Sequence, residues 1–231
     1  PYSPDDFSLI KTTKDYPHPE LIIDEPTLRV VYTPSRYFAS EPKADVSVVL
    51  RNPKAMDSAK NQVMFALNDY LAGIALDQLS NQASVGGISF STNANNGLMV
   101  NANGYTQRLP QLFQALLKGY FSYTPTEEQL EQAKSWYAQM MDSAEKGKAY
   151  DQAIMPVQML SQIPYFQREE RRALLPSISL KDVLDYRDSL KINTRPEFLI
   201  VGNMSEEQAK TLAQNVRSEE HTSELQSRSD L

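Results

Sequence analysis

The spacing of apolar positions changes several times along the chain, and each change marks an element. Two short apolar runs, 21–23 and 28–32, flank "DEPT" and predict a hairpin or two strand ends. "ADVSVVLRN" alternates, with Ala44, Val46, Val48 and Leu50 on one side and Asp45, Ser47 and Arg51 on the other. A half-buried strand has that period of two. From Met56 to Leu79 the period lengthens. Val63, Leu67, Tyr70, Leu71 and Ile74 recur at steps of three and four residues, which makes one helix face. Met64, Phe65 and Leu76 widen that face, so the helix is expected to be well buried. "GGISFSTNANNGLMVNANGY" returns to strand character. Asn96-Gly97 suits a tight hairpin between arms at about 87–94 and 98–104.

Four helices are predicted after the hairpin. "TQRLPQLFQALLKGYFSY" is the first. The second starts at "TPTE", where Thr124 caps, Pro125 takes the first helical position and Glu127 completes a capping box. Leu130, Ala133, Trp136, Tyr137, Met140 and Met141 form its stripe, for which core packing is the default explanation. The third lies around "YDQAIMPVQMLSQI" and stops before Pro164, with Pro156 at a kink or at its true start. "SLKDVLDYRDSL", capped by Ser179, is the fourth. A strand, "EFLIVGN", and a helix, "SEEQAKTLAQNV", with Ser205 and Gln208 as a capping box, follow. Strands beside helices, with one tight hairpin, predict an α+β fold: an antiparallel sheet of about four to six strands with helices packed on one face.

The two ends break the pattern. Residues 1–20 carry four prolines and no sustained period, and read as a linker laid over a surface. Residues 217–231, "RSEEHTSELQSRSDL", hold one apolar side chain, Leu225, before the terminal Leu231. The last helix is therefore expected to stop at Val216, as if cut. "RSEEHTSELQS" reads like a forward translation of a widely used sequencing-library adapter. The expected organisation is a linker over 1–20, an α+β domain over 21–216 truncated at its C-terminal end, and a non-native tail over 217–231.

Composition narrows the function. The net charge of the 231 residues is −6, and no run of Lys or Arg exceeds two residues. Phosphate neutralisation needs clustered cations, so no nucleic-acid partner is expected. No stretch of about 18 apolar residues exists to span a membrane. There is no cysteine, which excludes disulfides and thiolate metal sites. His18, between two prolines of the linker, is the sole histidine outside the tail; His221 lies in the tail. A zinc site needs three or four converging ligands, usually including His or Cys, so no metal is expected here.

Other chemistry is equally thin. There is no G-x-S-x-G and no histidine base in the folded body. Gly86-Gly87 leads into a strand, not into a phosphate-cradling helix. The pairs Asp5-Asp6, Glu127-Glu128, Glu169-Glu170 and Glu206-Glu207 mostly sit at predicted helix starts, where they complement the macrodipole. "REERR", 168–172, reads as a solvated helical face. Asn93, Asn95 and Asn101 could bond a peptide strand, but turns and exposed strand faces also use Asn. No catalytic, cofactor-binding or metal residue is assigned.

Three segments carry a resemblance. Residues 68–117, "NDYLAGIALDQLSNQASVGGISFSTNANNGLMVNANGYTQRLPQLFQALL", resemble the helix–hairpin–helix stretch of the pitrilysin and insulin-degrading-enzyme family. "PYSPDDFSLI" resembles the lead into the second half of those proteases, and "FLIVGNMSEEQAKTLA", with Gly202 and Asn203, their strand–Gly–Asn–helix signature. The resemblance implies a zinc metalloendopeptidase parent of four similar α+β units, acting on small polypeptides outside the cytoplasm, in the periplasm. Its first unit carries an inverted H-x-x-E-H motif, and the halves close around a peptide that pairs with a sheet edge.

This chain resembles the third unit, in the non-catalytic half. "NQVMFALNDYLAGIALDQL", in the place of the zinc-binding helix, has no His, and Asp69 and Asp77 stand eight apart, which is no ligand pair. The expected role is to wall the substrate chamber and dock against sibling domains, with zinc only in the parent and no hydrolysis by this chain alone. The rival is a non-catalytic peptide-binding or scaffold subunit of the same family.

Overall fold

The computed structural model describes residues 1–11, 15, 18–35, 39–94, 97–145, 164–192 and 194–229. Six strands form one sheet: β1 (Glu20–Glu25), β2 (Leu28–Thr33), β3 (Lys43–Arg51), β4 (Ile88–Ala94), β5 (Gly97–Tyr105) and β6 (Arg195–Gly202). Their spatial order is β1-β2-β6-β3-β5-β4. The sheet is mixed: β2 and β6 run parallel, and the other neighbouring pairs are antiparallel. The α+β class stands, and the difference from a purely antiparallel sheet lies in that single ladder. Parallel strands need a long crossover, and here it takes in β3, the β4–β5 hairpin and most of the helices. No local pattern in either strand records such a distant pairing.

Alternation gives the sheet two unlike faces. Leu28, Val30 and Tyr32 of β2, Phe198 and Ile200 of β6, Ala44, Val46, Val48 and Leu50 of β3, and Leu98, Val100 and Ala102 of β5 are buried together. Gly97, at the start of β5, has φ +143°, and a Cβ there would lie 2.0 Å from the Leu50 carbonyl oxygen. Only glycine lets the hairpin close this tightly on β3.

Helices cover the apolar face: α1 (Ala59–Val85), α2 (Leu109–Ser122), α3 (Glu127–Glu145), α4 (Arg168–Leu174), α5 (Leu180–Ser189) and α6 (Glu206–Ser229). α1 buries Val63, Met64, Phe65, Leu67, Leu71 and Leu76, but Ile74 is exposed. Of the α3 stripe, Tyr137 and Met141 are buried, while Trp136 and Met140 are not. The α3 cap is Thr126, whose hydroxyl accepts from the Gln129 amide at 3.2 Å while Gln129 Oε1 accepts from the Thr126 amide at 2.9 Å. The helix thus begins two residues later than "TPTE" suggested. Ser179 and Ser205 cap α5 and α6 as expected. The helix predicted around 150–163 lies outside the described residues.

α6 does not stop at Val216. It runs on to Ser229. "RSEEHTSELQSRS" contains neither Pro nor Gly, the two strongest helix breakers, so nothing in it stops the helix abruptly. Arg217 Nη1 meets Glu25 at 2.6 Å, which ties the helix to the end of β1.

The N-terminal segment is strapped to this body. Tyr2 is buried, and Gln107 Oε1 accepts from the amides of Asp5 and Asp6 at 3.0 and 3.2 Å. Asn203 holds the strap further along: its Oδ1 accepts from the Ile10 amide at 2.7 Å and its Nδ2 donates to the Ser8 carbonyl at 2.8 Å. Gly202, with φ +122°, turns the chain out of β6 where a Cβ would meet the Lys43 carbonyl oxygen at 2.6 Å. The Gly-Asn pair is therefore a structural device: glycine allows the turn, and asparagine uses it to grip the strap.

Candidate functional site

The face of the sheet away from the helices carries a shallow concavity. The same alternation that buries Val46 and Ile200 turns Ser47, Val49, Met99, Glu197, Leu199, Arg29 and Val31 the other way. These residues line a shallow groove of about 350 Å³. Its floor is apolar, and Leu199 is 44% exposed on it. Its polar end is internally neutralised: Arg51 pairs with Glu197, Arg195 reaches Glu197 at 3.8 Å, and Arg195 reaches Asp24 at 3.3 Å. Such a surface can take apolar side chains or another folded unit. Arg29, exposed at its edge, adds a further positive charge.

The asparagines of the hairpin fall on this face. Asn93 of β4 pairs with Met99, and Asn101 of β5 pairs with Ser47 and Ser91. Asn93 is exposed. Asn101 Oδ1 accepts from the Ser47 hydroxyl at 2.8 Å, and Asn103 Oδ1 accepts from Ser89 at 2.9 Å. These bonds join neighbouring strands. Asn95 lies outside the described residues.

The described residues place no nucleophile against a base in this groove. Ser47 donates to an amide oxygen rather than to a base, so its oxygen gains no nucleophilic character. His18 is exposed in its loop. Among the described residues no group of three or more His, Asp or Glu side chains converges in a metal-holding geometry. Asp77 is exposed and accepts from Asn81 at 3.3 Å, while Asp69 points into the α1–α2 layer, so the two do not meet. The donor set does not fit zinc.

The acidic pairs Glu127-Glu128, Glu169-Glu170 and Glu206-Glu207 occupy the first turns of α3, α4 and α6. Burial raises the carboxyl of Asp45 on β3 above the usual aspartate range. Asp182 moves the other way, because hydrogen bonds from Ser179 and Lys60 favour its anion.

One polar cluster escaped the sequence reading. Asn68 is fully buried on α1, and its Nδ2 donates to Tyr120 Oη at 3.0 Å. Its Oδ1 accepts from Tyr123 Oη at 2.6 Å. Burial pushes both phenols well up, so they stay protonated donors. The signal was present: Asn68 falls three after Phe65, four after Met64 and three before Leu71, inside the apolar face. A lone amide there demands partners.

A family model described as the middle or third domain of peptidase M16 matches residues 1–173. Protease 3 of Shigella flexneri is 81% identical over 217 residues, 94% of this chain and 23% of the relative. Insulin-degrading enzyme of Drosophila melanogaster is 24% identical over 227 residues, covering 93% of this chain and 22% of that protein. Among solved structures, the crystal structure of pitrilysin superposes with a TM-score of 0.93 at 80% identity, over 96% of this chain and 24% of that one. The chain spans less than a quarter of the length of the curated relatives it matches.

Proposed function

The chain belongs to the peptidase M16 family, as its middle or third domain, and from that premise we propose that it is a non-catalytic unit of a zinc metalloendopeptidase. In this reading residues 21–216 form the α+β domain, residues 1–20 lead into it, and residues 217–231 are foreign to it. The domain walls the chamber in which small polypeptides are degraded and docks against sibling domains of the same protein, which works in the periplasm. Zinc belongs to another unit. The observation that carries the reading is the pairing of 81% identity to Protease 3 with a donor set that cannot bind zinc. The open sheet groove also leaves room for a second reading, a peptide-binding or scaffold subunit of the same family.

One measurement tests both readings together, and a second separates them. The purified 231-residue chain is expected to contain no stoichiometric zinc and to leave unstructured peptides intact. Tight zinc or hydrolysis by this chain would overturn the assignment. The reading frame in the source genome is expected to carry H-x-x-E-H upstream of Pro1. A stop codon and start Met immediately before Pro1 would favour the stand-alone subunit instead. Neither outcome relies on the groove being occupied.

A further inference from the structure

We propose that Gly86, Gln107, Arg108 and Asn203 form a main-chain-reading site for an extended peptide of the form aromatic-x-x-acidic, which residues 2–10 of this chain fill in cis. The way this segment is held sets it apart from the rest of the fold. Among the described residues, no backbone–backbone hydrogen bond joins residues 1–11 to the body. Side chains of the body hold the segment's main chain instead. Gln107 Oε1 accepts from the amides of Asp5 and Asp6, and Arg108 Nε donates to the Ser3 carbonyl at 3.3 Å. Asn203 takes the Ile10 amide and the Ser8 carbonyl. One side-chain amide that accepts from an N–H and donates to a C=O two residues earlier copies the pairing of a neighbouring strand. Bonds of this kind supply affinity for any extended chain and leave selectivity to pockets.

Gly86 makes the sharpest case. Its φ of −80° lies outside the left-handed region, so its own backbone does not demand glycine. Yet a Cβ there would lie 2.5 Å from the Tyr2 carbonyl oxygen and 2.8 Å from the Tyr2 Cβ. The missing side chain is room for the peptide. Two side chains of the segment add selectivity. Tyr2 is the one buried residue of 1–11. Asp5 accepts from Gln107 Nε2 and lies 3.5 Å from Arg108 Nη2. Phe7, in T-shaped contact with Tyr105, and Leu9 stay exposed.

Each reading point keeps its place through bonds that do not involve the peptide. The Gly86 amide donates to Gln82 at the end of α1, Thr106 beside Gln107 donates to the Pro42 carbonyl at 3.2 Å, and the Asn203 amide donates to the Lys43 carbonyl at 2.8 Å. The segment for its part carries Pro1 and Pro4, whose fixed φ suits an extended chain and reduces the entropy lost on docking. A site that holds its shape and a ligand stitched to it by a few side-chain bonds are an exchangeable pair. The site does not depend on the zinc-protease reading.

The test keeps the full 231-residue chain. Tyr2→Ala with Asp5→Asn loosens the cis segment and leaves the site untouched. Residues 1–10 supplied as a free labelled peptide are expected to bind this variant saturably, at least about tenfold more tightly than they bind the unaltered chain, where the tethered segment competes at an effective concentration on the order of millimolar. Adding Gly86→Ala to the loosened chain should abolish binding while β3 and β5 amides stay protected from exchange. A peptide that itself carries Tyr2→Ala and Asp5→Asn should bind several-fold more weakly. Equal affinity for the unaltered and loosened chains, or binding indifferent to Gly86→Ala, would overturn the site. Should the loosened chain fail to fold, the unaltered chain still decides. Excess peptide is then expected to speed exchange of the Ile10 amide several-fold with the β3 and β5 amides unchanged, and an Ile10 amide indifferent to peptide refutes the proposal.

Discussion

Asn203 shows how one amide can govern a distant segment. It grips residues 8 and 10 through both polar atoms of its side chain, across nearly the whole length of the chain. A net hydrogen bond contributes about 0.5–1.5 kcal/mol. Asn203→Ala is therefore expected to cost about 1–3 kcal/mol in global stability. It should free the strap selectively: the Ile10 amide would exchange much faster while the β3–β5 amides hold. Chemical denaturation together with hydrogen exchange measures both, and an unaltered Ile10 amide would place the grip elsewhere. The sequence displayed Gly202-Asn203 as a family signature but not its partner, because a contact spanning 193 residues leaves no periodicity. Asn68 was hidden for another reason. Periodicity counts apolar positions, and a polar residue inside an apolar face reads as noise until its hydroxyl partners are seen.

At the scale of elements, capping chemistry was the most legible signal where one cap competed with no other. Ser179 and Ser205 stood alone before their helices and were read correctly. "TPTEEQ" offered two overlapping caps, and the structure chooses Thr126 with Gln129, leaving Pro125 outside the helix. α5 provides a pH-dependent case. Ser179 and Asp182 bond reciprocally, and Lys60 of α1 meets Asp182 at 3.0 Å. These bonds hold the Asp182 carboxyl below the ordinary 3.8. Its contribution is therefore complete above that value and is lost as pH falls through the lower, folded one. The cap is partly exposed and screened, so Ser179→Ala is expected to cost about 1 kcal/mol at pH 7. The cost should shrink in strong acid, where the parent loses the same interaction. Thermal unfolding at pH 7 and pH 2 gives the comparison, and a penalty larger at pH 2 would reverse the sign.

On the scale of the whole molecule, strands, helices and class followed from pattern, whereas the strand order did not. β2 and β6 carry ordinary alternation, and nothing local says that they lie side by side in parallel. What the helices leave uncovered has a physical consequence. Leu199 with Val31, Val49 and Met99 forms an apolar strip on the open face, and Ile74, Trp136 and Met140 are exposed on α1 and α3. Tyr70 and Trp136 rings sit 4.9 Å apart in this second region. Exposed apolar patches promote association, so the isolated chain is expected to self-associate as concentration rises, seen by light scattering. The two surfaces can be told apart because Trp136 is the single tryptophan. If the open sheet face drives association, Leu199→Lys restores the monomer, and Trp136 emission stays constant with concentration in the parent. If the helical face drives it, emission shifts to the blue on association and Leu199→Lys has no effect. A parent chain that stays monodisperse and monomeric at high concentration would show that neither surface is sticky enough to need a sibling domain, and the docking role proposed for them would fall.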